Sequence, residues 1–550
     1  MSVGFYRATG RKGFLGRWFL VTTSRNTRFL TRTFSREDPP TTALNAAMTG
    51  KTPYPEGIFP TMFSTIAPQQ SLWASVLREV ARGLPPRLAE LDPYFEDPRL
   101  FEPFRPYFHP TDGRPSVPME TYVRMMALRW RYQLGYEALC EEVTDSVSWR
   151  LFCRVPFGER VPHPSTLEKI TTRCGQGAVD QLNDVLLKKG YEKKLVKLDK
   201  VRADTTVVPA NVKYPTDSGL LAKGVSRLAV LAGRLKAMGF APRTKMTDRR
   251  RSMASRAHAI ATWLRRRSGE AKEEVLAITE EMAKIAEAAS ADARAMAGSS
   301  ARALRRQGEA ASGRAKATLE ELKETAPLLD MVISQARRRI AGDMPEGSER
   351  IVSLHDKDAR PIKKGRLGKP VEFGRKAQVT DNSDGIVVDY EVFQGNPPDA
   401  PQLPRSIARI KARFGKVPPR VTADHGYGEA PVYKELGDLG VKKVAIPRKG
   451  KLSQARKKVE SARGFRDLVK WRTGSEGRIA VLKHRYGWAR SLMDGTPGAA
   501  TWCGWGIFAH NSVKLAHLAA TKGAPSSRRQ APPGGAPPGV APPPTTPLAA

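Results

Sequence analysis

Two hydrophobic rhythms alternate along this chain. Stretches with apolar residues at helical spacing are interrupted by short runs rich in β-branched residues, and those runs mark strands. The first run, 201–208, holds Val201, Val207 and Val208 around Asp204. Two more, 371–380 and 386–393, flank Asp381-Asn382-Ser383-Asp384-Gly385, a hairpin connector whose acids are expected to serve the turn. A fourth, 420–423, runs into Asp424, where Gly426 and Gly428 let the backbone turn sharply or a ligand come close. A fifth, 443–446, runs into Pro447-Arg448-Lys449-Gly450-Lys451.

Helical spacing dominates elsewhere. Met119, Val123, Met126 and Trp130 share one face, 136–143 reads as a second short helix, and Ser165 with Glu168 forms a capping box ahead of Leu167 and Ile170. Between about 225 and 345 the composition shifts to Ala, Glu, Arg and Lys. Leu228, Leu231, Leu235 and Met238 form one packing seam and Val275, Ile278, Met282 and Ile285 another, and Pro327 is expected to break the last long helix. Ile407, Ile410 and Phe414 mark a further helix, as do 471–483 and the aromatic-rich 501–518. The order strand, hairpin, helix, strand, strand, helix predicts an α/β fold with a mixed sheet, a large helical insertion after the first strand, and an all-α domain before it.

With 550 residues the chain accommodates two or three domains. Its 92 Lys and Arg against 55 Asp and Glu give a formal charge of +37, which points to a polyanionic partner, with nucleic acid ahead of a membrane surface. No apolar run approaches the roughly 18 residues that span a bilayer. The four cysteines lack close paired spacing, so free thiols in a reducing compartment are expected. Residues 1–36 carry eight Arg or Lys and no acid, which reads either as a transit peptide or, preferred here, as a disordered basic leader. The expected organisation is leader and linker to residue 60, a helical DNA-binding domain over 71–175, a catalytic domain over 190–518 with its insertion, and a disordered Pro-rich tail over 521–550.

Three acids stand out. An unpaired charge in the middle of a strand is costly, so Asp204 needs a cation or hydrogen bonds, whereas Asp199 precedes the strand and Asp217 lies in a turn-like Tyr214–Gly219 segment. Asp424 ends a strand, where a plain helix cap is the simple alternative. If 471–483 is one helix, Arg472, Glu476 and Lys483 share a face with Arg478 to its side, while Ile479 and Leu482 anchor the helix; a surface ion pair is the simple alternative. Phosphate contacts are expected from Lys363, Lys364 and Arg366 in a basic Gly-rich loop over 356–370, and from Arg448, Lys449 and Lys451. Arg124, Arg129, Arg131, Arg150 and Arg154 fit either a helix-turn-helix DNA-binding module or a plain bundle with solvated arginines.

The spacing Arg472, three residues, Glu476, six residues, Lys483 resembles the signature around the last acid of DDE transposases from bacterial insertion sequences; Val469 stands where that family usually has Tyr. The stretch from Arg202 to Leu221 resembles the family's first catalytic Asp segment. Ala423-Asp424-His425-Gly426-Tyr427-Gly428 resembles the second, with His425 where relatives often have a basic residue. The resemblance implies an RNase H-like catalytic domain in which Asp204, Asp424 and Glu476 are catalytic and bind Mg²⁺, with Mn²⁺ able to substitute. It further implies double-stranded DNA partners (terminal inverted repeats and target DNA), a homodimer in the DNA complex, a bacterial cytoplasmic setting at the nucleoid, and cleavage with strand transfer. The alternatives are an inactive remnant or related nuclease that binds DNA, and a basic architectural or RNA-binding protein without catalysis.

Overall fold

The computed structural model describes residues 83–110, 112–266, 269–308, 313–363 and 371–523. The leader and linker, the tail beyond Gly523, and Lys364 and Arg366 lie outside the described residues; residues 521–523, expected in the tail, end the last helix. An all-α part opens the described chain: after short 3₁₀ turns come α1 (Met119–Tyr132), α2 (Tyr136–Asp145), α3 (Val147–Phe152) and α4 (Pro164–Glu192). The predicted seam of Met119, Val123, Met126 and Trp130 is buried. The expected capping box is not used, because Pro164 occupies the first helical position and His163 takes the cap, its Nδ1 accepting from the Ser165 N–H at 3.2 Å.

The sheet is mixed. Its central strand β1 (Val201–Pro209) lies antiparallel to β3 (Val371–Asn382), whose other edge is shared by β2 (Arg360–Lys363) and β4 (Val387–Phe393). On its far side β1 runs parallel to β5 (Arg420–Ala423), which runs parallel to β6 (Lys443–Ala445). The segment 356–370, read from sequence as a loop, thus contributes edge strand β2, and Arg360 is spent on the carbonyls of Ser348, Lys357 and Ala359.

Between β1 and β2 stands the helical insertion, α5 (Asp217–Ala237), α6 (Arg250–Arg266), α7 (Gly269–Gln307) and α8 (Gly313–Ile340), with a hydrophobic core of its own built from Leu228, Leu231, Leu235, Met282 and Leu329 among others. Asp217 proves to be a helical residue rather than part of a turn: Thr216 caps α5, and the buried Asp217 carboxylate accepts from Gln335 and Arg339 of α8. Pro327 does not break α8. Its ring faces solvent and Lys323, whose carbonyl loses its partner, is exposed to water, while Ala326, Leu328 and Leu329 hold the helix in the core.

The remaining helices are α9 (Gln402–Phe414), α10 (Ala430–Leu439), α11 (Gln454–Ser461), α12 (Arg463–Arg472), α13 (Gly474–Arg485) and α14 (Gly495–Gly523). The last explains why the all-α part and the sheet share one core. Trp505 of α14 meets Phe104, Tyr122 and Phe508 at ring distances of 5.7 to 6.4 Å, and Asn511 completes the β4 backbone by bonding both the N–H and the C=O of Val387. All four cysteines are free and buried, and no helix among the described residues is long and apolar enough to cross a membrane. Replacing Trp505 by Ala should cost about 3–5 kcal/mol. Hydrogen exchange in that variant should accelerate together in α1 and β4; acceleration confined to one of them would show two independent cores.

Candidate functional site

Asp204 and Asp424 come together through strand register. Ala203 of β1 pairs with Ala423 of β5, so the next residue on each parallel strand is the carboxylate in question, on chains about 4.8 Å apart. Asp424 is exposed and caps the short 3₁₀ turn His425–Tyr427, its Oδ1 accepting from the His425 N–H at 2.6 Å; the His425 side chain is itself exposed. The cap read from sequence and the converging carboxylate are therefore the same group. Gly428 is required where it stands, since any Cβ there would collide with the Pro447 carbonyl. That close approach brings the 447–451 loop to the Asp424 turn, fastened by Lys449 N–H to the Gly428 carbonyl at 3.0 Å.

Asp204 is only 17 % exposed. Its Oδ1 accepts from the Thr205 N–H at 2.8 Å, and its Oδ2 accepts from Ser475 Oγ at 2.9 Å with Arg472 Nη1 at 3.7 Å. Burial pushes its pKa up and the Asp424 carboxylate adds to that, whereas the Ser475 and Thr205 hydrogen bonds and Arg472 act against it. Next to it Tyr427 is almost fully buried, and its phenol is pushed well up by burial and by the carboxylates of Asp399, Asp204 and Asp424. Asp199, the competing acid, points elsewhere, to Ser383 and Arg420.

The continuous 471–483 helix of the sequence reading is in fact two helices. α12 ends at Arg472 and α13 begins at Gly474, so Arg472, Glu476 and Lys483 do not share one helical face. The cause is a clamp that sequence reasoning missed. Arg202 of β1 binds Asp381 of β3 through two bonds of 2.9 Å, donates to the Trp471 carbonyl at 2.7 Å, and stacks on the Trp471 ring at 4.6 Å, with Lys200 also 4.6 Å from that ring. Its guanidinium fills the space at position 474 where a Cβ would sit, so only Gly fits. Asp381 is therefore a buried anchor, not a turn acid.

The break presents the buried Ser475 to Asp204 and leaves Glu476 exposed in the first turn of α13. Among the described residues no three of His, Cys, Asp and Glu stand close enough together to hold a metal ion. Asp204 and Asp424 adjoin, and Glu476 follows the residue that touches Asp204.

The predicted phosphate contacts divide. Arg472 turns inward to Asp204. Arg478 also turns inward: its Nε lies 3.3 Å from the buried Asp381 and its side chain is 13 % exposed. Lys449 pairs with Glu429 at 2.7 Å, Arg448, Lys451 and Lys363 are exposed, and Lys483 is half-buried in the last turn of α13. Four of the five arginines singled out in the all-α part are also turned inward. Arg124 is fully buried between Phe95 and Phe152 and bonded to Asp92 and Glu120, Arg129 stacks on Tyr136 and Trp502, Arg150 holds the Pro156 and Glu159 carbonyls, and Arg154 pairs with Asp92 and Glu96.

Comparison with known families matches residues 78–173 to a transposase domain (DUF772) and residues 348–512 to a transposase DDE domain. The two matches support a DDE transposase of the insertion-sequence type. A Rhizobium meliloti protein, the uncharacterized protein ORF8 in the nfe locus, is 27 % identical over 147 residues, covering 26 % of this chain and 69 % of that protein. No solved structure matches. Neither family match includes β1, so the place of Asp204 in this transposase rests on strand register.

Two outcomes follow for the transposase. Removing the shared acid leaves Arg202 and Arg478 uncompensated, so Asp381→Leu should cost roughly 3–5 kcal/mol, with the double variant Arg202→Met/Asp381→Leu, in which only Arg478 stays unpaired, recovering part of it in denaturant titrations. An equal loss in single and double variants would remove the clamp from the account. A folded-state carboxyl pKa raised above its unfolded value makes stability fall as pH rises from the unfolded pKa through the folded one. Asp204→Asn should therefore melt higher than the wild type at neutral pH, with the difference vanishing below the ordinary Asp range; a lower melting temperature at pH 7 would contradict the burial argument.

Proposed function

We propose that this transposase binds the double-stranded ends of its element and, with a divalent cation held by Asp204 and Asp424 and with Glu476 completing the site, catalyses strand cleavage and strand transfer. The observation that carries this reading is the placement of Asp204 and Asp424 side by side, each one residue past the Ala203–Ala423 pair of adjacent parallel strands, one largely shielded and one facing solvent. The sheet order, three antiparallel strands followed by two parallel ones, supports the RNase H-like assignment.

The donor set fits a hard cation. Asp204 has an oxygen held by nothing stronger than a serine hydroxyl and a distant guanidinium, and Asp424 adds a second carboxylate beside it, which favours Mg²⁺ with Mn²⁺ as substitute. When bound, such ions activate a water or a 3′ hydroxyl and neutralise the leaving oxygen of an in-line displacement. The protein's own groups do the rest. Ser475 fixes the rotamer of Asp204, and Arg472, 3.7 Å from the same carboxylate, places positive charge beside the site. Arg448, Lys451 and Lys483 lie along the path of the flanking backbone. The two ends of an element must be handled together, which favours a homodimer in the DNA complex, in the bacterial cytoplasm at the nucleoid.

The exposed position of Glu476, outside any three-acid cluster among the described residues, favours a second reading: a remnant or related nuclease that binds DNA without transposing it. A labelled element end incubated with the protein in Mg²⁺ separates the two. The first reading expects a mapped nick at the element boundary that disappears in Asp204→Asn, Asp424→Asn and Glu476→Gln. It also expects a loss of about 10–100-fold in Ser475→Ala, the range for groups that orient a metal ligand. Binding without a nick would support the remnant, and cleavage that survives all three carboxylate changes would sink the site assignment.

A further inference from the structure

The insertion carries its positive charge unevenly. From Arg249 to Arg266 there are six arginines and no acid, whereas the adjoining α7 carries Glu270, Glu273, Glu274, Glu280, Glu281, Glu287 and Asp292. Three of the six arginines are spent inside the insertion: Arg249 pairs with Asp292 at 2.6 Å, Arg250 with Asp248 at 2.6 Å and Arg256 with Glu281 at 2.8 Å. Arg251, Arg265 and Arg266 have no carboxylate partner among the described residues, and Arg266 lies over the Trp263 ring at 4.4 Å. Met253 and Ile260 anchor the opposite side of α6 in the insertion core.

The exposed side of α6 has a definite order. Arg251, then Ala254 and Ser255, then His258, then Ala261 and Thr262, then Arg265 follow one another at helical spacing, all exposed, with Leu264 62 % exposed beside them. Small side chains on either side of His258 let a partner approach the helix backbone, and cations stand at both ends. Arg251 and Arg265 are fourteen residues apart, about 21 Å along the axis. The major groove of B-DNA is about 12 Å wide and admits an α-helix. A helix of this build seated in the groove therefore has arginines that reach the phosphates on both sides, while His258 and the small residues flanking it face the base edges.

We propose that α6 is a DNA-contacting helix that places the insertion on the duplex, apart from the carboxylate site. Charge complementarity selects duplex DNA as occupant. The proposal rests on the reading that this protein binds duplex DNA, and the experiment keeps the two apart. Full-length protein is titrated with element-end DNA across a series of salt concentrations, as wild type, as Arg251→Ala/Arg265→Ala/Arg266→Ala, and as a control that loses the same charge elsewhere in the insertion, Arg302→Ala/Arg305→Ala/Arg306→Ala. Each lost phosphate contact should lower the salt slope by about 0.9, so the α6 variant should lose about 2–3 from that slope while the control stays near the wild type. A photoreactive residue at position 261 should crosslink to DNA. A wild type that shows no salt-dependent DNA binding defeats the DNA reading and this inference with it. A salt-dependent wild type matched by the α6 variant, or a crosslink to a second copy of the chain through the acidic α7, overturns the α6 assignment alone.

Discussion

Asp381 accepts from Arg202 on the central strand and from Arg478 on α13, so a single carboxylate on β3 ties the strand that carries Asp204 to the helix that carries Glu476. Two guanidiniums sharing one buried acid form a pair whose charges cannot be separated cheaply. Much of the site's geometry follows from that constraint. Arg202 reaches the Trp471 carbonyl and fills the space at Gly474, so the helix must break there. The break turns Ser475 onto Asp204 and Arg472 towards the same carboxylate. The neighbouring β1–β5 register then supplies Asp424.

Every strand but edge strand β2, the hairpin between β3 and β4, the seams of the insertion and the buried C-terminal helix were legible in the sequence, because period and turn chemistry are local properties. Asp204 stood out as an acid in the middle of a strand pattern, and Asp424 through the resemblance of 423–428 to a DDE-family segment. What escaped depends on contacts across the fold. Asp381 looks like a turn residue until Arg202, on a strand 179 positions earlier, is seen beside it. Helical spacing alone made 471–483 one helix, and nothing in that spacing announces that Gly474 is small to make room for an arginine from β1. Pro327 broke nothing, because its ring and the carbonyl it orphans both face water.

Charge shows the same limit. A net charge of +37 says that the protein suits a polyanion but not which arginines serve it. In the all-α part, most of the arginines singled out by eye are internal struts, set between aromatic rings or paired with Asp92, Glu96 and Glu120. Exposed cations do stand on the 447–451 loop, near the carboxylates, and on one side of α6. Those are places where a rigid sheet or a helix with its own core supports them, so the partner's shape can be met without reordering the chain.

The account depends on carboxylates from separate segments meeting around a cation. Anomalous scattering from Mn²⁺ in crystals of the protein bound to an element end tests that most directly. The account predicts a peak coordinated by both Asp204 and Asp424, with Glu476 drawn to the same ion or to one next to it. Manganese bound elsewhere, or in contact with neither aspartate, would contradict it.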